Sequence, residues 1–388
     1  MIYVHVPFCK SFCTYCDFYS ERACPSGAYV DEVCAEAEAR RAEIEASAAV
    51  DTLYFGGGTP SVLPSSMLGA IADACGGRTW REWTVEVNPD DITADYASEL
   101  RDLGVNRISM GVQSLDDGML RWMNRRHDAA CARKAFEYLR GAGFGNISVD
   151  VIFGVGGMSS GMLLSTVREL VSWRPEHISA YQLSVEEGSA LGRLAREGRY
   201  TELPDELCAT QYYLICNELA AAGYEHYEIS NWALPGRRAV HNSAYWTRAP
   251  YVGLGPGAHS LSNCFQPSSD RHSLLRHSRP DRESPQPNCR SWNSEELSGW
   301  KASGEKLSAE EIREEHIMLA LRTADGIPAS VIPDNVSSSV IPNNVSSSVI
   351  PDLIGNLLAP SAIPGNLRIP EDRWFTADDI ISSVLAQI

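Results

Sequence analysis

Cys9-Lys-Ser-Phe-Cys13-Thr-Tyr-Cys16 gathers three thiols in one C-x3-C-x2-C run. Thiolate is the ligand type that iron–sulfur centres prefer, and three protein ligands leave one iron of a cubane open to another molecule. A zinc site would want a fourth cysteine or histidine nearby, and His5 lies on the strand before the run. The plain alternative is three cysteines packed in a loop. Cys34, Cys75, Cys131, Cys208 and Cys216 are scattered and read as small core residues. With 11 cysteines, a disulfide scaffold would leave one thiol unpaired.

A second set of polar residues recurs at the ends of β-rich runs. Phe55-Gly-Gly-Gly-Thr-Pro60 follows one such run, Glu86 sits in Val85-Glu-Val-Asn-Pro89, Gln113 in Gly111-Val-Gln-Ser114, and Asp150 in Val149-Asp-Val-Ile152. A carboxylate suits an ammonium or ribose hydroxyls, and the Arg125 guanidinium suits a carboxylate. Taken singly, each reads as an exposed or salt-bridged polar residue.

The elements that must position these groups alternate. Strand-like runs at Ile2–Val6, Thr52–Phe55, Thr84–Val87, Ile108–Val112, Ile147–Phe153 and His177–Leu183 are separated by helical sequence at Tyr29–Ala46, Met67–Cys75, Ala94–Leu103, Ala129–Ala142 and Leu163–Trp173. Such alternation implies parallel strands, as an incomplete barrel or an open sheet, with ligands at the strand carboxyl ends. Past residue 200 the alternation stops, and we expect a core domain over 1–200 and a C-terminal domain over 201–388. Pro204–Ala222 and Ala309–Leu321 read as helices, the latter opened by a Ser308/Glu311 capping box. Two inserts are expected, one over 266–294 and one over 330–369. The second contains a nine-residue repeat beginning Ser330-Val-Ile-Pro-Asp, too short and proline-rich to bury a core of its own.

The balance of 33 lysine and arginine against 50 aspartate and glutamate gives a net charge of −17 over 388 residues. Nucleic-acid phosphates and anionic membranes would be repelled, so neither is expected as a general partner. No apolar run reaches membrane-span length, and Met1 leads into Tyr3-Val-His-Val-Pro7 without a signal-peptide pattern. A soluble cytoplasmic protein is expected.

The cysteine run, placed after the first strand of a repeated β/α chain, resembles the radical S-adenosylmethionine (SAM) superfamily. The resemblance implies an α/β fold: a partial (β/α)6 radical SAM barrel, with a smaller C-terminal α/β domain carrying the low-complexity inserts. It also implies a 4Fe-4S cluster on Cys9, Cys13 and Cys16, with SAM on the open iron and Tyr15 at the family's aromatic position. Tyr3-Val-His-Val-Pro-Phe-Cys9 is similar to the oxygen-independent coproporphyrinogen III oxidase branch, in which residues matching Tyr3, Gly57, Gly58, Thr59, Glu86, Gln113, Arg125 and Asp150 surround SAM.

Phe18 stands where that oxidase has a further cysteine, and only eight residues precede Cys9. Both departures, with His241-Asn242-Ser-Ala-Tyr245-Trp246, resemble the HemW-type heme chaperones. That resemblance implies heme as cargo, His241 as an axial ligand with Tyr245 and Trp246 as flat faces, and recipient hemoproteins as partners. It leaves room for a homodimer and for transient contact with membrane-bound targets. It also implies no coproporphyrinogen oxidase activity. Three alternatives stay open: an oxidase-like enzyme of porphyrin biosynthesis, a cluster protein acting on an unrelated substrate, and, for His241 itself, a core role in an aromatic-rich region. The resemblance spans residues 1 to about 262, 309–326 and, weakly, 374–385.

Overall fold

The computed structural model describes residues 1–77, 79–262, 288–297, 299–331 and 358–385. Strands β1 (Ile2–Val6), β2 (Thr52–Gly57), β3 (Glu82–Val87), β4 (Arg107–Gln113), β5 (Ile147–Phe153) and β6 (His177–Gln182) pair in chain order, all parallel. Helices α1 (Gly27–Ala39), α2 (Arg41–Ala46), α3 (Ser65–Ala74), α4 (Ala94–Asp102), α5 (Asp117–Trp122), α6 (Ala129–Gly141) and α7 (Ser160–Ser172) return the chain between them. Side chains of a strand alternate between its two faces. On β4, Ile108, Met110 and Val112 are fully buried on one face, whereas Arg107, Ser109, Gly111 and Gln113 on the other line a cavity. That period sets the architecture: apolar residues meet the helices and polar ones point inward.

The helix starts are chemically specified. Ser26, Thr93, Asp116, Asp128 and Ser159 each accept a first-turn N–H, which satisfies donors the helix itself cannot. The helix expected over Tyr29–Ala46 breaks at Arg40, whose φ of −104° ends α1. The break lets the Arg40 side chain turn inward. It donates to Glu36 Oε1 at 2.7 Å, Gly253 O at 2.7 Å and Ser260 Oγ at 2.9 Å.

The sheet does not stop at residue 200. After α8 (Ala190–Arg196) and α9 (Asp205–Ala221), the short strands β7 (Glu225–Glu228) and β8 (Asn231–Ala233) add to β6 antiparallel. Following α10 (Val240–Trp246), β9 (Val252–Leu254) joins β1 in parallel, for the order β7-β8-β6-β5-β4-β3-β2-β1-β9. The chain then makes a three-stranded antiparallel sheet from β10 (His259–Ser262), β11 (Cys289–Trp292) and β12 (Ser303–Lys306). Helix α11 (Ala309–Ala320) carries the expected capping box. Strands β13 (Ile327–Pro328), β14 (Ala359–Pro360) and β15 (Asn366–Arg368) form a second small sheet, and α12 (Ala377–Leu385) ends the described chain.

Two expectations need correction here. The stretch 266–294 is not loop to its end, because β11 lies within it, held between two partner strands. Likewise, β14 and β15 fall inside the span 330–369, where Leu367 and Ile369 are buried. The middle of each span, including most of the nine-residue repeat, lies outside the described residues. Among the described residues no helix is long and apolar enough to cross a membrane.

Arg40 offers a test of what joins α1 to the later strands. Gly255 N and Asn293 Nδ2 also bind Glu36, at 2.8 and 2.9 Å, so this one ion pair serves three segments. Removing the cation leaves a buried carboxylate without its counter-charge. Arg40→Leu is expected to lower unfolding free energy by about 3–5 kcal/mol in urea titrations. Pairing it with Glu36→Leu should recover a large part of the loss.

Candidate functional site

One cavity of about 640 Å³ opens at the carboxyl ends of β2 to β6. The cysteine run forms part of its wall. Its loop is closed at the base by Cys9 N to Glu21 O at 2.9 Å and Glu21 N to Pro7 O at 2.6 Å. Midway it is pinned by Thr14 N to Met123 O at 3.1 Å, by Leu191 N to Thr14 O at 2.8 Å, and by Lys10 to Asp91 at 2.6 Å. Cys9, Cys13 and Cys16 all line the cavity. Burial raises the Cys16 thiol pKa, and Cys13 and Cys9 are near enough to add to that rise. The thiols do not yet form a closed cage: among the described residues, no three His, Cys, Asp or Glu groups stand as a metal-ligand set.

A hydrogen-bonded chain links two of the thiols through the cavity wall. Cys9 Sγ lies 3.4 Å from Thr59 Oγ1, which accepts from Asn88 Nδ2 at 3.3 Å. Asn88 Oδ1 accepts from Arg125 Nη2 at 2.6 Å, and Arg125 Nη1 reaches Cys13 Sγ at 3.3 Å. Arg125 also donates to Gly111 O at 2.7 Å, and its Nε is buried without a partner among the described residues. A guanidinium here offsets the negative charge that thiolates would bring.

The carboxylates sit deeper. Glu86 accepts from Tyr54 OH at 2.7 Å and from Gly57 N at 3.3 Å. Burial pushes its pKa up to about 7, and Asp150 is pushed up to about 6 by burial against the help of Ser179. Gln113 takes φ +66° beside an irregularity in the β4–β5 register, a left-handed turn that aims its side chain away from the regular ladder. Gly57 has φ +109°, and a Cβ there would lie 2.6 Å from the His5 ring. A Cβ on Gly58 would meet Phe8 O at 2.9 Å. The glycines are therefore required by packing of the chain against β1 and its following loop, while their backbone lines the cavity.

Of the residues expected around SAM, Tyr15, Gly57, Gly58, Thr59, Glu86, Gln113, Arg125 and Asp150 border this cavity. Tyr3 lies behind it, stacked on Tyr54 with ring centroids 6.0 Å apart and its hydroxyl 3.1 Å from His5 Nδ1. His241 does not reach the cavity at all. It is 1% exposed, with Nδ1 2.8 Å from Thr52 Oγ1 and Nε2 3.1 Å from Tyr245 OH. Burial holds its pKa down to about 3. Both ring nitrogens are engaged, while its neighbour Asn242 lines the cavity.

Residues 3–170 match the family described as the Radical SAM superfamily. A Mycobacterium tuberculosis protein named heme chaperone HemW is 32% identical over 339 residues, covering 84% of this chain and 82% of its own. Its Lactococcus lactis namesake is 36% identical over 262 residues, 66% of this chain and 68% of that one. This chain belongs to the HemW heme chaperone family. The solved structure of coproporphyrinogen III oxidase (HemN) from Escherichia coli superposes with a TM-score of 0.72, covering 100% of this chain and 90% of that one. At 16% identity it shows a shared fold.

Radical SAM membership implies a 4Fe-4S cluster and SAM, and the HemW-family cavity fits both. Three thiols share a wall with a buried guanidinium, and Arg125, whose Nε is unpartnered among the described residues, lines the same cavity as Glu86 and Asp150. Sequence reading missed Tyr54, Asn88 and Arg107. Arg107 and Tyr54 carry a period-two signal, lying two and four strand positions from Ser109 and Gly58 on inward faces; Asn88 had none beyond its place after a strand.

Gly57→Ala combines a disfavoured φ with a clash against an imidazole boxed in by Tyr3 and Tyr19. It should cost about 1–3 kcal/mol in denaturant unfolding, while the exposed Gly145, with open space around it, tolerates alanine within about 0.5 kcal/mol. Glu86 supplies a pH test. Its folded pKa is raised, so the native state holds a proton that the unfolded chain releases. Stability should fall as pH rises from about 4.5 through 7. Glu86 borders an open cavity, which reduces the effect to about 1–2 kcal/mol. Glu86→Gln should flatten that slope in unfolding curves taken at pH 5, 6, 7 and 8.

Proposed function

We propose that this chain is a radical SAM protein that binds heme and passes it to recipient hemoproteins. The observation that carries this reading is the match to proteins named heme chaperone over up to 85% of the chain. Phe18 agrees with it. The residue stands where the oxidase branch carries its extra cysteine, and it lies 74% exposed at the cavity mouth, where no thiol replaces it. In this reading Cys9, Cys13 and Cys16 hold the 4Fe-4S cluster, which supplies a redox-active iron with an open position for SAM.

The chain's own residues then divide the work of binding SAM. Arg125 carries a fixed positive charge beside Cys13 and suits a carboxylate. Glu86 and Asp150 suit an ammonium or ribose hydroxyls, and they do so best when ionised, above their raised pKa values. Gln113 and Asn88 can donate or accept along the wall. The reading also takes in a cytoplasmic site of action, a homodimer, and passing contact with membrane-bound recipients.

Anaerobic reconstitution with iron and sulfide, then titration with hemin, tests the proposal. Heme should be retained and coproporphyrinogen III should pass through unconverted; robust decarboxylation would instead assign the chain to the oxidase class. Cys9→Ser, Cys13→Ser or Cys16→Ser should each lose the brown chromophore, while Cys34→Ser and Cys131→Ser keep it. His241→Ala should leave the heme spectrum unchanged and lower stability by about 2–4 kcal/mol, because it strips Thr52 and Tyr245 of their buried partner.

A further inference from the structure

If His241 is locked in the core, heme iron needs another ligand, and the histidines of the described residues can be sorted by what their rings already do; His272 and His277 lie outside those residues. His5, His177 and His226 have both ring nitrogens bonded: His5 to Tyr3 and Tyr19, His177 to Ser148 and Tyr227, His226 to Glu371 and Ile229. His127 is buried at 4% exposure, with Nε2 3.1 Å from Val112 O. His316, half-buried on α11 beside the Arg248 cation, also has no ring hydrogen bond among the described residues, but no aromatic ring there stacks on it. His259 is exposed at the start of β10, and neither ring nitrogen has a hydrogen-bond partner among the described residues.

What surrounds His259 is equally specific. Residues directly opposite on antiparallel strands project to the same side of the sheet. His259 pairs with Trp292 on β11, and the two rings stack at 23° with centroids 6.0 Å apart. An exposed imidazole and a half-buried indole thus stand side by side on one face, so a porphyrin ligated through the imidazole would meet the apolar edge of the indole. The chain is brought there by a tight turn. Gly255 (φ +90°) and Gly257 (φ +72°) place their backbone where a Cβ would strike His5 O at 2.7 Å and the Tyr19 ring at 3.2 Å. Tyr19 is in the loop that follows the cysteine run, so this platform stands against that loop.

We propose that His259 is the axial ligand for an iron porphyrin, which lies on the face formed with Trp292. The proposal rests on the heme-carrier reading and refines it. The rigid turn fixes the imidazole from behind, the indole limits its rotation, and one side of the ring stays open to solvent. Binding there breaks no hydrogen bond that the ring makes among the described residues.

The test is hemin titration of the reconstituted full chain, followed by absorption and resonance Raman spectra. His259→Ala should weaken hemin binding by roughly tenfold or more and abolish the histidine-ligated spectrum, with iron–sulfur content and melting curve unchanged. His259→Cys should convert the spectrum to that of a thiolate-ligated heme, a change that a merely structural histidine would not produce. Trp292→Leu should weaken binding while keeping the ligation signature. Wild-type affinity and spectrum in His259→Ala would overturn the assignment and leave the carrier reading standing. Failure of the unmodified protein to hold hemin would overturn the carrier reading itself.

Discussion

A buried carboxylate on β3 ties the later half of the chain to the sheet beside the site. Glu82 is 3% exposed at the start of β3, and it accepts the N–H groups of Val240 and His241 at 2.9 and 2.8 Å. Those are the first turn of α10, which has no side-chain cap of its own. The nearby Arg107 guanidinium, 1% exposed, supplies the counter-charge. Among the described residues this contact and the His241–Thr52 hydrogen bond are what hold α10 to the sheet by polar groups. With it, His241 is seated against Thr52 and its ring packs 4.9 Å from Tyr54. Tyr54 donates to Glu86, and Glu86 holds Gly57 N. A line of contacts, hydrogen bonds joined by one ring–ring step, therefore runs from the C-terminal half into the cavity wall. Such paths are costly when partly satisfied and specifying when complete. Arg107 Nε and Nη1 are unpartnered among the described residues, which leaves this path with spare donors next to the site.

How far the sequence foretold this depends on length and period. Strands β1 and β5 begin and end where the apolar runs do, because five to seven consecutive residues carry a pattern. Strands β8 and β9 have three residues each, too few to show one, and their pairing is set by contacts far along the chain. The break at Arg40 was invisible for the same reason: helix propensity continues through it, and only the remote Gly253 and Ser260 explain why the side chain turns in. At the site, residues on strand ends were legible from their position. His241 was not. A motif gives the residue type and its neighbours, but which ring nitrogens are occupied is a property of the assembled core.

The cysteine loop and the β10–β11 face are separate places that share one residue. Tyr19 stacks on His5 at 5.9 Å and 25°, packs against Gly257, and donates to Glu295 O at 2.9 Å. His5 in turn sits over Gly57. Ordering of the cysteine loop is therefore mechanically joined to the turn that presents His259. A cluster bound on one side would restrict the same residues that back the other, a coupling that needs no large movement.

A carrier also has to let go. Suppose its ligand were a histidine like His241, with both nitrogens bonded and the side chain enclosed. Each binding event would first require local opening, and an opening cost of ~3 kcal/mol would reduce apparent affinity by roughly a hundredfold or more. Release would be slow for the same reason, since the core must reopen. An exposed imidazole on a rigid turn carries no such penalty in either direction. Affinity is then set by the iron–nitrogen bond and by contact with the indole edge, and a recipient that offers a second axial ligand from the open side can compete for the iron while the first is still attached. An exposed ligand thus suits transfer, whereas a buried one suits permanent residence.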